Sequence, residues 1–302
     1  MRQQSFLFAG SSNQKLADKI GAHLHISLGR MHLNHFPDGE TQVQILEEVR
    51  GKDVFVLQSI AGNPNHMFVE LLIIIDALKR ASAKTITAII PYLGYCRQDR
   101  KDQPGVPITA KLFANVLTIA GMTHLITIDL HADQVEGFFD TFVDHLHCQA
   151  LLCEQVKERM GADVVVVSPD IGGVKIAERM AKLLGSEMAM INKERLNSFD
   201  VRMEMIGNVD KKNVVIVDDL CSTAGTLVTA AQLCCKLGAK RIIAAVSHAL
   251  FIGNAIERIE ASPLEFLLTT DTVDIRANKT KKIQCISVAP LLAELLQSHA
   301  QH

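Results

Sequence analysis

The sequence predicts an α/β protein with mainly parallel sheets flanked by helices. Short runs rich in β-branched residues, such as residues 164–167 and 214–217, alternate with longer segments of helical periodicity. Strands this apolar are typical of parallel sheets that helices cover on both faces. With 302 residues, of which 48% are hydrophobic, the chain is long enough for two domains or one large one.

Each predicted strand is a short apolar run, and most of the predicted helices lie between two such runs. The predicted strands are residues 6–8, 54–57, 86–90, 125–128, 164–167, 188–191, 214–217, 242–246 and 266–269. The predicted helices are residues 65–81, 109–120, 148–160, 173–184 and 225–237. A strand and its loop end near residue 147, and a new helix, strand and helix follow. We therefore expect an N-terminal domain over residues 1–147, joined by a C-terminal helix at 288–302, and a second domain over 148–287.

Composition argues against several classes of function. The chain carries 31 Lys and Arg against 33 Asp and Glu, so it has no overall basic field for nucleic acid or an anionic membrane. No apolar stretch approaches the roughly 20 residues of a membrane span, and no secretory signal is visible. The 7 cysteines are scattered, which argues against a disulfide framework or a thiolate zinc site. We expect a cytoplasmic protein that binds neither nucleic acid nor membrane.

The most informative segment is residues 214–227, where four apolar residues end in Asp218 and Asp219. A loop of small and hydroxyl residues follows, and a helix is predicted to start near Gly225. Ligands bind at the carboxyl ends of strands in open parallel sheets, and N–H groups at a helix start can cradle a phosphate. The two acids can accept hydrogen bonds from sugar hydroxyls or face a metal ion. A sugar phosphate suits both features, although a helix cap followed by an ordinary loop is the alternative.

Other polar segments also follow predicted strands or turns. Residues 97–101 contain three cations that suit a triphosphate, or they form a solvated turn. Residues 36–40 join an aromatic ring to two acids, and packing of that ring is the alternative. His131 and Asp170 each follow a strand, where a divalent ion can bridge phosphates, although a lone histidine there is more often structural. Residues 193–200 form a polar segment that we interpret as a mobile flap, with an ordinary charged hairpin as the alternative.

Residues 214–227 resemble the phosphoribosyl diphosphate binding loop of type I phosphoribosyltransferases. The full set of motifs resembles the ribose-phosphate diphosphokinase family, in the same order over nearly the whole chain. The matching blocks are residues 36–40 (FPDGE), 70–83 (ELLIIIDALKRASA), 91–101 (PYLGYCRQDRK), 129–132 (DLHA), 137–140 (GFFD), 168–173 (SPDIGG), 193–195 (KER) and 218–226 (DDLCSTAGT). The resemblance implies two similar type I phosphoribosyltransferase-like domains, each with a mainly parallel central sheet flanked by helices.

The resemblance also implies a reaction in which ATP and ribose 5-phosphate give phosphoribosyl diphosphate and AMP. Mg²⁺ is the implied cofactor, with His131 and Asp170 as its residues, and Lys193 and Arg195 are the implied catalytic residues. The implied ATP-binding residues are Phe36, Asp38, Gly39, Glu40, Arg97, Gln98, Asp99 and Asp102. The implied ribose 5-phosphate-binding residues are Arg195, Asp218, Asp219, Ser222, Thr223, Ala224, Gly225 and Thr226. In relatives the segment at residues 36–40 reaches the ATP of an adjacent subunit, so we expect a homo-oligomer, with a hexamer built from dimers as the leading interpretation.

Some residues depart from the family pattern. Ser222 stands where many members have a third Asp, which removes one negative charge beside the ribose. The chain stops at His302, so we expect the regulatory extension of some relatives to be missing. Further departures are Gln103–Gly105, Glu136, Phe142, His145 and Leu196. Two alternatives stay open: a non-catalytic regulatory paralogue, which Ser222 supports, and a phosphoribosyltransferase that consumes phosphoribosyl diphosphate, against which the ATP-side segments argue.

Overall fold

A computed structural model describes residues 5–161, 163–195, 201–275 and 280–299. The strands, in chain order, are β1 (Ser5–Ala9), β2 (Met31–His35), β3 (Thr41–Ile45), β4 (Asp53–Leu57), β5 (Thr85–Ile90), β6 (His124–Ile128), β7 (Phe142–Leu146), β8 (Val164–Ser168), β9 (Met188–Arg195), β10 (Val201–Ile206), β11 (Asn213–Cys221), β12 (Arg241–Ala249), β13 (Leu267–Thr270) and β14 (Ile283–Ile286). The helices are α1 (Gln14–Leu24), α2 (Pro64–Arg80), α3 (Thr109–Ala120), α4 (Gln149–Met160), α5 (Val174–Leu184), α6 (Gly225–Lys236), α7 (Ala255–Glu260) and α8 (Ala289–His299), and a 3-10 helix spans Asp133–Phe138.

The chain divides into two compact units. Unit 1 comprises Met1–Leu146, Thr272–Asp274 and Ser287–His302, and unit 2 comprises His147–Asp271 and Ile275–Ile286. Among the described residues, no helix combines the length and the apolar character needed to cross a membrane.

Unit 1 is built on a parallel sheet with the strand order β1-β4-β5-β6-β7. Alternate strand residues such as Phe8 and Val56 pack with Leu71 of α2 and Leu117 of α3 in one buried core. On α2, a proline at the first position and basic residues in the last turn match the preferences of helix ends. The strands β2 and β3 form a separate antiparallel hairpin.

Unit 2 contains a seven-stranded sheet with the order β10-β9-β8-β11-β12-β13-β14, in which β9 and β10 pair antiparallel and the other pairs are parallel. All five residues of β8 are buried, because the sheet is covered on both faces. After β8 the chain continues to one side through β9, and it returns to the other side of β8 as β11. The strand order therefore reverses between β8 and β11, which is where open α/β sheets bind ligands.

The predicted α/β class is confirmed, and each predicted strand and helix overlaps an observed one. Several of the predicted strands were too short, including those predicted at 188–191 and 214–217. The strand predicted at 214–217 continues to Cys221, because β11 keeps pairing with β12 as far as Cys221 and Ala249. The strand predicted at 188–191 continues to Arg195, because β9 pairs with β10.

Candidate active site

The strand β11 and the helix α6 frame the candidate site of unit 2. The loop between them, Ser222 to Ala224, leads into α6 with Ala224 as the N-cap residue. Ala224 makes no side-chain capping hydrogen bond, so the first N–H groups of α6 are left for an anion. Its φ of 61° lies in the left-handed region, which costs free energy for a residue other than glycine and is common at ligand sites.

Two backbone carbonyl groups of this loop accept hydrogen bonds that hold the loop in place. The N–H of Ile252 donates to Ser222 O at 2.9 Å, and Nη1 of Arg258 donates to Thr223 O at 3.2 Å. A Cβ built on Gly225 would lie 3.6 Å from Arg258 Nη1 and 3.7 Å from Thr223 Oγ1, so Gly225 leaves a small space beside a cation and a hydroxyl. Sequence analysis missed Arg258, since nothing in the short helix α7 marks it and only the fold brings it to the loop.

Asp218 and Asp219 lie inside β11 rather than after it, which corrects the expectation from sequence. Asp219 is buried, and its N–H donates to Asp218 Oδ1 at 3.0 Å. The loss of hydration raises the pKa of Asp218 well above its ordinary value, and the negative charges of Asp219 and then Asp170 raise it further. The carboxyl ends of the strands therefore carry several acidic groups close together here, which suits the binding of a cation or of a hydroxyl donor.

Asp170 follows β8, the neighbour of β11 in the sheet. The N–H groups of Gly172 and Gly173 donate to its Oδ1 at 2.9 and 3.2 Å, and Ser168 Oγ donates to its backbone carbonyl at 2.6 Å. These bonds fix the direction of the carboxylate at the point where the strand order reverses. Asp170 and Asp218 thus belong to one acidic sheet edge.

Cys221, at the end of β11, does not provide a nucleophile. Burial raises the pKa of its thiol to about 12, and the charge of Asp218 adds to this effect. The thiolate is the reactive form of cysteine, and Cys221 holds its proton at neutral pH. Covalent catalysis at this position is therefore disfavoured.

Lys193 lies on β9, where it is half-buried and opposite Met203 of β10. Arg195 is the last residue of β9. The Arg195 side chain and residues 196–200 lie outside the described part of the chain. The antiparallel strands β9 and β10 flank residues 196–200, and the flap interpretation remains a prediction.

In unit 1, Phe36 and Glu40 close the turn of the β2–β3 hairpin. The N–H of Phe36 donates to Glu40 O at 2.8 Å, and the N–H of Gly39 donates to Phe36 O at 2.8 Å. Gly39 has a φ of 95°, which favours glycine. The N–H of Glu40 donates to Asp38 Oδ1 at 3.2 Å, and Phe36 is 47% exposed. The turn presents an aromatic ring to solvent instead of packing it.

The loop between β5 and α3 carries the predicted nucleotide contacts Arg97 to Asp102. Arg97 and Asp102 are exposed, and Asp99 Oδ2 accepts from Gln134 Nε2 at 2.7 Å. Thr109 Oγ1 donates to Gln98 Oε1 at 2.5 Å. Since this carbonyl is already bonded, Gln98 has its amide N–H groups to offer a ligand.

His131 is exposed just beyond the carboxyl end of β6. Before it, Asp129 is buried with a φ of 39°, and the N–H of Leu130 donates to His145 Nε2 at 2.9 Å. His131 belongs to unit 1 and Asp170 to unit 2. The two predicted metal residues therefore come from different units.

Comparisons with known proteins agree with these features. The model of the N-terminal domain of ribose phosphate pyrophosphokinase matches residues 5–121, and that of the phosphoribosyl transferase domain matches residues 146–262. The ribose-phosphate pyrophosphokinase of Chromobacterium violaceum is 45% identical over 296 residues, covering 96% of this chain and 90% of the relative. The chain belongs to the ribose-phosphate pyrophosphokinase family.

Other members of the family extend the comparison. The ribose-phosphate pyrophosphokinase of Thermotoga maritima is 43% identical over 300 residues, covering 98% of this chain and 95% of the relative. The crystal structure of phosphoribosylpyrophosphate synthetase from Mycobacterium smegmatis matches with a TM-score of 0.94 and 38% identity, and 99% of each chain is covered. The predictions of the ribose-phosphate pyrophosphokinase family and of two phosphoribosyltransferase-like domains are confirmed.

Proposed function

We propose that this chain transfers the β,γ-diphosphoryl group of ATP to the 1-hydroxyl of ribose 5-phosphate, which gives phosphoribosyl diphosphate and AMP. The observation that carries the proposal is the strand–loop–helix at residues 218–226, which lies where the strand order of unit 2 reverses. Relatives named for this activity match over nearly the whole chain, which supports it further.

In this proposal residues 148–287 bind ribose 5-phosphate. The N–H groups at the start of α6 bind the 5-phosphate, together with the hydroxyls of Ser222, Thr223 and Thr226. Asp218 and Asp219 accept hydrogen bonds from the ribose hydroxyls. Such bonds compensate for the lost hydration of the two adjacent carboxyl groups, whose negative charges otherwise repel each other.

Residues 1–147 with 288–302 bind ATP. The exposed ring of Phe36 stacks on the base, and the hairpin turn adds Asp38, Gly39 and Glu40. Arg97 contributes positive charge and a planar guanidinium, while Gln98 offers its N–H groups. Asp99 and Asp102 complete this proposed ATP site.

For the transfer, the 1-hydroxyl oxygen forms a bond to the β-phosphorus as the bond from that phosphorus to the bridging oxygen breaks. AMP leaves with the bridging oxygen, and the hydroxyl proton passes to solvent. Lys193 and Arg195 provide positive charge that stabilises the diphosphoryl group in the transition state of the transfer. Fixed charges contribute most to catalysis at that point. Alignment and charge neutralisation suffice, in keeping with the protonated thiol of Cys221.

Mg²⁺ is the proposed cofactor; His131 in unit 1 and Asp170 in unit 2 are each proposed as a residue that would contact such an ion. A carboxylate oxygen fits the preference of Mg²⁺ for oxygen ligands, and both N–H donors to Asp170 bind one oxygen, Oδ1. When bound, the ion neutralises phosphate charge. We further propose that the enzyme works in the cytoplasm as a homo-oligomer, with a hexamer built from dimers as the expected assembly.

The proposal is tested by measuring AMP release with ATP, ribose 5-phosphate and Mg²⁺, each omitted in turn. Release that requires all three supports the proposal. No turnover would favour a regulatory paralogue, and activity only with phosphoribosyl diphosphate and a nucleobase would favour a phosphoribosyltransferase. Lys193→Ala should remove most of kcat with a smaller change in KM, whereas the exposed Lys236→Ala should behave as the unmodified protein.

A further inference from the structure

Outside the candidate active site, His35, His66 and Glu70 bring three possible ligand atoms within 4.8 Å of one another. The Nε2 atoms of His35 and His66 are 3.2 Å apart, and His66 Nε2 is 3.6 Å from Glu70 Oε2. His35 is the last residue of β2, while His66 and Glu70 are four residues apart on α2 and share one helix face. All three belong to unit 1.

The spacing of these atoms fits one coordinated ion. A tetrahedral zinc-class ion has bonds of about 2.0–2.2 Å to nitrogen and oxygen, which places neighbouring ligand atoms about 3.3–3.6 Å apart. The distance of 3.2 Å between the two Nε2 atoms and that of 3.6 Å between His66 Nε2 and Glu70 Oε2 lie close to that range. Two imidazoles and one carboxylate favour a transition-metal ion, since Mg²⁺ and Ca²⁺ prefer sites made of oxygen.

Glu70 is held in a fixed orientation beneath the two histidines. Its side chain is fully buried, and a buried carboxylate requires hydrogen bonds and a positive partner. Oε1 accepts from the N–H of Ser11 at 2.7 Å and from Gln58 Nε2 at 2.6 Å, and Oε2 accepts from Ser11 Oγ at 2.8 Å. Hydrogen bonds of this kind orient the carboxylate ligands of metal sites.

Solvent reaches the same cluster from the histidine side. His35 is exposed, and the side chain of His66 is 28% exposed. An ion can therefore enter without unfolding the unit, and water can fill a fourth coordination position. The cluster is therefore buried on the side of Glu70 and accessible to solvent on the side of His35.

We propose that His35, His66 and Glu70 form a binding site for a divalent transition-metal ion of the zinc class. The bound ion connects the end of β2 to α2. Because His35 directly precedes Phe36, the ion also restrains the hairpin turn that presents the exposed aromatic ring. A hydrogen bond between the two imidazoles, without any ion, is the competing explanation of their separation.

The test is a titration of the purified full chain with Co²⁺ in excess Mg²⁺, followed by the visible absorption of bound Co²⁺, and then displacement by Zn²⁺. Ions bound elsewhere contribute equally to all variants. His35→Ala and His66→Asn should each lose one bound Co²⁺ per chain, or weaken its binding at least about tenfold. His32→Ala is the matched control, because His32 is also exposed on β2 but alternates to the other side of the strand.

Thermal unfolding supplies a second readout. Zn²⁺ should raise the Tm of the unmodified protein and of His32→Ala, but not that of His35→Ala, since an ion that binds only the folded state stabilises it. The exposed position of His35 keeps this variant foldable. Identical Co²⁺ stoichiometry and affinity in all variants, or no spectral change with the unmodified chain, would overturn the proposal in favour of the imidazole hydrogen bond.

Discussion

Asp218 Oδ1 accepts a hydrogen bond of 3.0 Å from the N–H of Asp219, and the two carboxyl groups share one edge of the sheet with Asp170. The raised pKa of Asp218 means that, above its ordinary value of 3.8, the folded state binds more protons than the unfolded state. Stability therefore falls as the pH rises from the ordinary pKa through the raised one. Above the ordinary pKa this arrangement lowers the stability of the ligand-free enzyme, while it keeps acidic oxygen atoms beside the proposed ribose site.

Asp218→Asn should stabilise the ligand-free protein at pH 7–8, because it removes a carboxyl group whose ionisation the folded state disfavours. We expect a Tm increase of about 2–4 °C, which corresponds to about 1 kcal/mol in a domain of this size. The increase should shrink as the pH approaches 4, and binding of ribose 5-phosphate should weaken at least about tenfold. Thermal scans from pH 4 to 8 measure this, with the exposed Asp163→Asn as the control; a pH-independent loss of stability would contradict it.

Gly225→Ala tests the space at the start of α6. The new Cβ would meet Arg258 Nη1 at 3.6 Å and Thr223 Oγ1 at 3.7 Å, which are ordinary contacts, so the Tm should change by less than about 2 °C. The same methyl group occupies space proposed for the 5-phosphate. We expect KM for ribose 5-phosphate to rise about tenfold, while KM for ATP stays within about twofold. Steady-state kinetics with each substrate varied would measure the two KM values separately. An unchanged KM for ribose 5-phosphate would place the phosphate elsewhere.

Arg258→Met tests a positioning residue. The guanidinium holds Thr223 O and adds positive charge beside the loop, so its loss should raise KM for ribose 5-phosphate about tenfold with a smaller change in kcat. Arg258→Lys should restore part of the affinity. The control is Arg241→Met. Arg241 pairs with Glu265 and is the first residue of β12, at the amino end of the strand. Equal kinetic effects in both methionine variants would point to a general loss of charge instead of a local role.

Strands that are buried on both faces were predictable because such burial leaves an unbroken apolar run, as in β8. The hairpin of β2 and β3 was missed, since its residues alternate between exposed and half-buried positions and carry little apolar signal. Asp218 and Asp219 were placed after β11 because acids have low strand propensity, but pairing with β12 overrides that preference. Short-range patterns such as DDLCSTAGT are visible in sequence, whereas the proximity of Arg258 depends on the fold.

Substitutions of Phe36 distinguish nucleotide binding from packing, because this residue is 47% exposed in the hairpin turn. If the ring stacks on the nucleotide, Phe36→Leu should raise KM for ATP about fivefold to tenfold, which corresponds to about 1–1.4 kcal/mol of lost stacking. The Tm should stay nearly the same, because an exposed side chain contributes little to the core. Phe36→Trp keeps an aromatic surface and should retain most of the ATP affinity. Kinetics and thermal scans of both variants check this; a large fall in Tm with unchanged KM in Phe36→Leu would instead assign the ring to packing.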